Sequence, residues 1–309
     1  MIRLLSAKTF FLIKALRPAQ WTKNLSLFAS LILTGQLINP YLFSKTFLGF
    51  FVFCFLSSSS YLINDLIDAD SDRLHPVKKN RPIASRQVSP VTAVITAFVL
   101  FLSALFLASF INSNFLFIAL FFALLQISYS LFLKKKAILD IIGISIFFII
   151  RVYAGEIATG FHLPVWIMLS VVFLSLFIAS GKRRSELVKT GTIARSSLRQ
   201  YGKALLNFYT TIFAVCTMIT YAMFTFFEES VSFQGLIHSF LLENFPSALN
   251  RKLYMLTLAP VIFGIMRYGQ IIFEMQEGER PEKVIATDIP LLFSVMVWGM
   301  SIVTIIYVL

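Results

Sequence analysis

Apolar side chains run along this chain in long blocks, separated by short stretches where Lys, Arg and Asp concentrate. Crossing about 30 Å of hydrocarbon takes roughly 20 mainly apolar residues in a helix. The pattern yields nine such blocks, at 25–41, 44–64, 90–111, 115–133, 138–159, 164–181, 204–227, 253–273 and 288–308. The fifth, which carries Arg151 and Glu156, is the least apolar. These blocks predict an all-α integral membrane protein of about nine transmembrane helices. No low-complexity linker interrupts them, so residues 1–309 read as a single membrane-embedded domain.

The polar stretches set the orientation. Lys and Arg of short loops are retained on the cytoplasmic side, and odd and even loops here differ sharply. One side collects 22 of the 27 Lys and Arg, in the N-terminal segment, 65–89, 134–136, 182–203 and 274–287. The other side holds only Lys45, Arg251 and Lys252, while Arg151 and Arg267 fall inside spans. The N-terminus is therefore expected in the cytoplasm and the C-terminus outside, as in a multi-pass protein of the inner (cytoplasmic) membrane. The net charge of +12 is then an orientation signal and an attraction to anionic membrane lipids, and it gives no reason to invoke nucleic acid.

Composition agrees, since 58% of the residues are hydrophobic, more than one water-soluble core of ordinary size could hide. Residues 1–20 read as an interfacial helix, with Leu4, Leu5, Phe11, Leu12 and Leu16 set among basic residues. Lys14 breaks the apolar run and no small-residue cleavage site follows, so a secretory signal is not expected. Phe233, Leu236, Ile237, Phe240 and Leu241 have the spacing of an amphipathic surface helix on the outer side. Cys54 and Cys216 stand apart in apolar runs and read as packing residues.

Three polar loops, at 64–90, 134–140 and 181–203, would converge with Trp21–Asn24 on one cytoplasmic mouth. The first begins Asn64-Asp65-Leu66-Ile67-Asp68-Ala69-Asp70-Ser71-Asp72. On a continuing helix Asp65, Asp68 and Asp72 lie within roughly 60° of one another, while Asp70 points away. Three carboxylates on one face repel unless a cation neutralises them, and hard oxygen donors beside a phosphate site suit Mg²⁺. The next residues, His75 to Pro82, reverse the sign with Lys78, Lys79 and Arg81. Acids followed by bases can hold a metal-chelated diphosphate, the metal bridging carboxylate to phosphate and the cations taking the remaining oxygens. Arg151 and Arg267 are costly inside their spans without partners; each either contacts a substrate phosphate or holds a carboxylate on a neighbouring helix, for which Glu156 and Glu274 are the first acids to consider.

These residues resemble the UbiA superfamily of intramembrane prenyltransferases, whose first aspartate-rich motif, N-D-x-x-D-x-x-x-D, is matched in full by Asn64, Asp65, Asp68 and Asp72. That resemblance implies a nine-helix bundle binding a Mg²⁺-diphosphate at its cytoplasmic mouth. The patches Arg17–Asn24, Asp72–Pro76, Arg81–Ile83, Tyr129–Lys134 with Asp140, Arg151–Gly155, Gly181–Leu187, and Arg267-Tyr268 before Pro281-Glu282 and Asp288 are similar, in this order, to the decaprenyl-phosphate phosphoribosyltransferases. Prenyl-diphosphate-using members usually carry two or more aspartates in a second motif, where this chain has only Asp140.

The narrower resemblance implies a phosphoribosyl diphosphate donor and a polyprenyl phosphate acceptor, whose several phosphates suit a site rich in cations. Asp65, Asp68 and Asp72 would hold Mg²⁺, with Asn64 orienting them and Asp140 contacting ribose or a second cation. Lys23, Asn24, His75, Lys78, Arg81, Tyr129, Lys134, Arg151, Lys182 and Arg183 are the candidate substrate-binding residues. A homo-oligomer is compatible with this reading. The rival readings are an aromatic prenyltransferase of the same superfamily and, in another class, a transporter or lipid flippase.

Overall fold

The computed structural model describes residues 2–74, 78–190, 196–228 and 253–308. The expected surface helix at 233–241 and His75 lie outside the described residues. After α1 (Ile2–Leu16), a 3₁₀ stretch over Pro18–Leu27 leads into α2 (Phe28–Leu33). Then come α3 (Pro40–Ile67), α4 (Ala69–Leu74), α5 (Pro90–Ser109), α6 (Ser113–Leu131), α7 (Leu139–Thr159), α8 (Val165–Thr190) and α9 (Lys203–Phe227). The chain closes with α10 (Leu258–Gln270), which runs on through a π-helical turn to Met275, α11 (Pro281–Thr287) and α12 (Ile289–Tyr307). Among the described residues eight helices are long and apolar enough to cross a membrane.

Local chemistry starts these helices where the apolar blocks begin. Asn39 caps α3 by accepting from Tyr41 and Leu42 N–H, with Pro40 in the first turn, where its missing N–H costs nothing. Ser89 and Pro90 do the same for α5, Asn112 caps α6, and Asp288 caps α12. Gly160, at φ 78°, ends α7 in the left-handed region that a side chain would resist.

The first expected span differs from the other eight, because residues 25–41 form no long α-helix. Ten residues of 3₁₀ and six of α-helix cover roughly 29 Å at their usual rises. The segment starts at Arg17, beside Asp65, and reaches Leu31 and Ile32, whose carbonyls accept from the Tyr307 hydroxyl at the far end of α12. Its neighbour explains the geometry. A Cβ on Gly155 of α7 would lie 2.1 Å from the Leu27 carbonyl oxygen, so the two backbones touch where a regular span would need side-chain room.

A second difference concerns 181–203, expected as a loop. Helix α8 continues through it to Thr190, because its polar residues are not facing solvent: Arg183, Arg184, Ser185 and Glu186 are all buried. The loop after α4 also folds inward, with Ile83, Ala84 and Val88 buried and Ile83 and Val88 packed with Ala15 of α1 and Leu62 of α3. It thereby closes one side of the bundle's polar end.

Candidate active site

A cavity of about 1720 Å³ opens at the end of the bundle where α3, α6 and α8 carry their polar residues. Its wall includes Asn64, Asp65, Asp68 and Asp72 on one side and Lys23, Lys78, Arg81, Tyr129, Lys134, Arg151 and Lys182 around it. Asp65, Asp68 and Asp72 thus all line one cavity, although α3 stops at Ile67 and the chain restarts as α4, so they do not share one continuous helix. Asp70 does point away, its side chain 95% exposed and paired with Arg73.

Each acid on the rim meets a cation. Asp65 accepts from Arg17 Nη2 through both oxygens, at 2.6 and 2.7 Å. Arg81 Nη1 bridges Asp65 at 3.0 Å and Asp72 at 2.6 Å. Lys134 Nζ donates to both Asp68 oxygens at 2.9 Å and to Asn64 Oδ1 at 3.0 Å. Arg81 is aimed by its own loop, whose carbonyl at Arg81 accepts from Ser85 N–H while Val88 N–H closes onto Pro82. Burial raises the Asp72 carboxyl above the ordinary value; Arg81 and Lys78 oppose the rise and the Asp65 charge adds to it.

Among the described residues no three acids draw together closely enough to enclose an ion by themselves. The donor set nonetheless fits Mg²⁺, which keeps waters and is bound by one or two carboxylates plus substrate phosphate oxygens rather than by a cage of side chains. Hard carboxylate oxygens facing an open cavity, held for the moment by exchangeable Arg and Lys heads, meet that description.

Deeper in, Arg151 lines the cavity at 5% exposure. Its Nε donates to Asn24 Oδ1 at 2.6 Å and its Nη1 to the Phe147 carbonyl at 2.6 Å, with the Phe122 and Phe148 rings alongside. The expected partner Glu156 is elsewhere, accepting from Leu163 N–H and held by His162. Arg151 thus has no carboxylate within ion-pair distance among the described residues, an arrangement that is costly unless an anion visits. Asn24 stands behind it, fully buried, with its amide also on Cys54 Sγ. Arg267 likewise departs from expectation, pairing with Asp288 at 2.7 Å and reaching Glu274 only through Gln270.

Asp140 and Arg183 are placed differently from the sequence expectation. Both are wholly inaccessible and neither lines the cavity. Asp140 accepts from Tyr201 Oη at 2.6 Å and Ser197 Oγ at 3.1 Å and lies 2.7 Å from Arg183 Nε. Arg183 also donates to Glu186 and, at 3.0 Å, to the Tyr129 hydroxyl. Burial and the Asp140 charge push the Tyr201 hydroxyl well up, so it remains a donor. With every oxygen of Asp140 occupied, this group holds Tyr129 and Glu186 on the cavity wall from behind.

Sequence reasoning gave the opposite wall no role, although Gln20 and Glu282 fall in the resembling patches. Gln20, Glu277, Glu279 and Glu282 face the cavity too, and Glu282 accepts from Gln20 at 2.7 Å and lies 3.4 Å from Lys23. Burial alone would raise the Glu282 carboxyl, yet Lys23 and Gln20 bring it below the ordinary value. Arg17 was also missed as a site residue. Its signal was present in a cation standing directly before Pro18, where the helix must stop.

Comparison with known proteins agrees with this architecture. The model of the UbiA prenyltransferase family matches residues 25–283. The chain is 33% identical to a decaprenyl-phosphate phosphoribosyltransferase of Mycolicibacterium smegmatis, across 96% of this chain and 92% of that one. It is 31% identical to the enzyme of the same name from Corynebacterium glutamicum, across 96% and 87%. Its fold matches a UbiA homolog from Archaeoglobus fulgidus, solved with GPP and Mg²⁺, at a TM-score of 0.71 over 95% of this chain and 99% of that one, with 19% identity. Eight apolar helices, the intact aspartate motif on the cavity rim and the family match together make this chain a multi-pass membrane protein that belongs to the UbiA prenyltransferase family.

Proposed function

We propose that this chain transfers a 5-phosphoribosyl group from phosphoribosyl diphosphate to a polyprenyl phosphate, with Mg²⁺, releasing diphosphate. The observation that carries the reading is a two-level cavity, with a carboxylate rim at its mouth and Arg151 below it, a buried cation with no acid beside it. A metal-diphosphate suits the upper level, and a lone anionic head suits the lower. The relatives named decaprenyl-phosphate phosphoribosyltransferase supply the identity of donor and acceptor.

In this mechanism Asp65, Asp68 and Asp72 would hold Mg²⁺, which when bound neutralises the departing diphosphate. An acceptor phosphate oxygen attacks ribose C1 as the C1–O bond to diphosphate breaks and its electron pair leaves with the diphosphate. The attacking oxygen is already ionised near neutral pH, so no general base is required. Lys23, Lys78, Arg81, Lys134 and Lys182 steady the phosphates, and Arg151 with Asn24 behind it takes the acceptor. Asp140 and Arg183 act from beneath the wall as positioning residues. The basic end faces the cytoplasm of the inner membrane, and the 3₁₀ segment with α2 makes a ninth crossing beside the eight long helices.

Purified protein incubated with Mg²⁺, a polyprenyl phosphate and radiolabelled phosphoribosyl diphosphate is expected to yield a labelled lipid, and none once the metal is chelated. Consumption of a prenyl diphosphate with indifference to phosphoribosyl diphosphate would overturn the proposal in favour of aromatic prenyl transfer.

A further inference from the structure

The 3₁₀ stretch Pro18–Leu27 repeats every three residues, and that period sorts its side chains. Trp21, Asn24 and Leu27 follow one face into the bundle: Trp21 Nε1 donates to Ser58 Oγ at 3.0 Å, and Asn24 and Leu27 are fully buried. Arg17, Gln20 and Lys23 line the cavity instead, each one turn, about 6 Å, from the next. The two ends of this strip hold different acids. Arg17 grips Asp65 of the metal rim, while Gln20 and Lys23 hold Glu282 of α11. Glu282 therefore stands within two turns of the place where a metal-diphosphate would sit, yet outside it.

Glu282 is only half engaged. Its Oε1 accepts from Gln20 Nε2 at 2.7 Å, whereas Oε2 accepts no hydrogen bond among the described residues and has Lys23 Nζ at 3.4 Å. Its carboxyl, below the ordinary value despite burial because of Lys23 and Gln20, is ionised at neutral pH. Every phosphate in the cavity would repel it. The only hydrogen-bond donors that phosphoribosyl diphosphate brings are its ribose hydroxyls, and a carboxylate is purely an acceptor. The other acids are committed or unfixed. Asp140, expected on the ribose, is sealed away, Glu186 is held by Arg183, and no hydrogen bond or ion pair among the described residues fixes Glu277 or Glu279.

We infer that Glu282, aimed by Gln20, accepts the vicinal hydroxyls of the donor's ribose and so selects a pentosyl donor. The inference rests on the transfer reaction proposed above. Lys23 passes to a phosphate of the donor, and Oε2 is then open to the second hydroxyl. A prenyl diphosphate brings no hydroxyl and would leave an ionised carboxylate unpaired beside its chain, which is how a polar site rejects an analogue that lacks the matching group.

The test compares phosphoribosyl diphosphate with its 3-deoxy analogue, whose C1 is nearly as reactive, in the unmodified protein, Glu282→Gln and Glu282→Ala. Each is assayed with Mg²⁺ and a polyprenyl phosphate in mixed micelles. The unmodified protein is expected to favour the ribosyl donor by about 10- to 100-fold in kcat/KM, the size of a hydrogen bond to a charged group. Glu282→Ala should bring that preference to within about threefold, mainly by loss on the ribosyl donor. Glu282→Gln keeps an acceptor oxygen without the charge and should fall between. Freeing Lys23 of its partner affects both donors alike and cancels in the ratio, so a merely structural role for Glu282 would not move it. A preference that survives Glu282→Ala, or an unmodified protein indifferent to the missing hydroxyl, would overturn the assignment. Should Glu282→Ala fail to fold, the isosteric Glu282→Gln decides by the same ratio. If the unmodified protein transfers from neither pentosyl donor, the reaction itself falls and takes this role with it; if it transfers from phosphoribosyl diphosphate and the ratio stays put in the variants, the role of Glu282 alone falls.

Discussion

Asp65 and Asp140 stand at the same end of the bundle, and each lies under 3 Å from an arginine. Their surroundings separate them. Asp65 is itself only 2% exposed, but it lines the open cavity and its partners Arg17 and Arg81 have side chains about a quarter exposed, free to exchange one anion for another. Asp140 and Arg183 are sealed at 0% exposure, with Tyr201, Ser197, Tyr129 and Glu186 completing their contacts. An ion pair on a cavity wall is a resting state for chemistry, whereas the same pair without access is architecture. Composition cannot tell them apart, and access can.

The largest effect is expected where the sealed group is broken. Arg183→Met would leave Asp140 as a buried charge without its arginine, a loss of about 3–5 kcal/mol. The expected outcome is a sharp fall in folded protein, read by detergent thermal unfolding and size-exclusion chromatography. A well-folded variant defective only in transfer would move Arg183 to the catalytic side of the comparison.

Next is the open rim. Asp68→Ala removes a side chain that is 28% exposed and whose partner Lys134 can turn to solvent, so stability should hardly change. Transfer should fall about 10²-fold or more, some 2.7 kcal/mol of transition-state stabilisation. Unimpaired turnover would remove Asp68 from the metal site.

Arg151 sharpens the contrast, because it is buried like Arg183 but lines the cavity like Arg81. Arg151→Met removes a buried charge that has no carboxylate partner but strands the buried Asn24 amide oxygen, so the two effects oppose and stability should change by no more than about 1–3 kcal/mol. Loss of a charged hydrogen bond to the acceptor should raise its KM by about 10- to 100-fold. A matched drop in stability and activity would instead mark Arg151 as structural.

The parts of this arrangement differ in how far the sequence disclosed them. Hydropathy reveals a span whenever a helix is long and apolar, and helical spacing places Asp65, Asp68 and Asp72 on one face, because both are local properties. Partner choice is not local. Arg17 reaches Asp65 across 48 positions in the chain, and Glu282 meets Gln20 across 262. Arg151 found Asn24 rather than Glu156 for the same reason. Nor does a run such as Lys182-Arg183-Arg184 disclose whether it ends a helix in solvent or continues it into a neighbour. Arg184 donates to Asn207 and to the Ile272 carbonyl, which keeps α8 helical where charge alone suggested a loop. The 3₁₀ segment was hidden because its cause, the contact of Leu27 with Gly155, lies on another helix.

The smallest effect belongs to a pair remote from both clusters. Asp288 accepts from Arg267 at 2.7 Å and from Leu291 N–H at 2.9 Å, combining an ion pair with the cap of α12. Arg267 holds its carboxyl below the ordinary value of 3.8, helped by the Leu291 N–H and opposed by slight burial. A group whose folded-state pKa is lowered stabilises the fold above its ordinary pKa, and that contribution disappears as acidity carries it down through the lowered value. Asp288→Asn keeps an oxygen for the cap but removes the charge, so the cost at neutral pH should be under about 1 kcal/mol. Thermal unfolding of the two proteins should therefore differ slightly at neutral pH, less at high salt, and converge as the pH falls below 3.8, with transfer rates alike throughout. A gap that stayed constant on acidification would mean that the cap, not the charge, carries the interaction, and that even a peripheral ion pair in this bundle is held by geometry, as the sealed pair around Asp140 is.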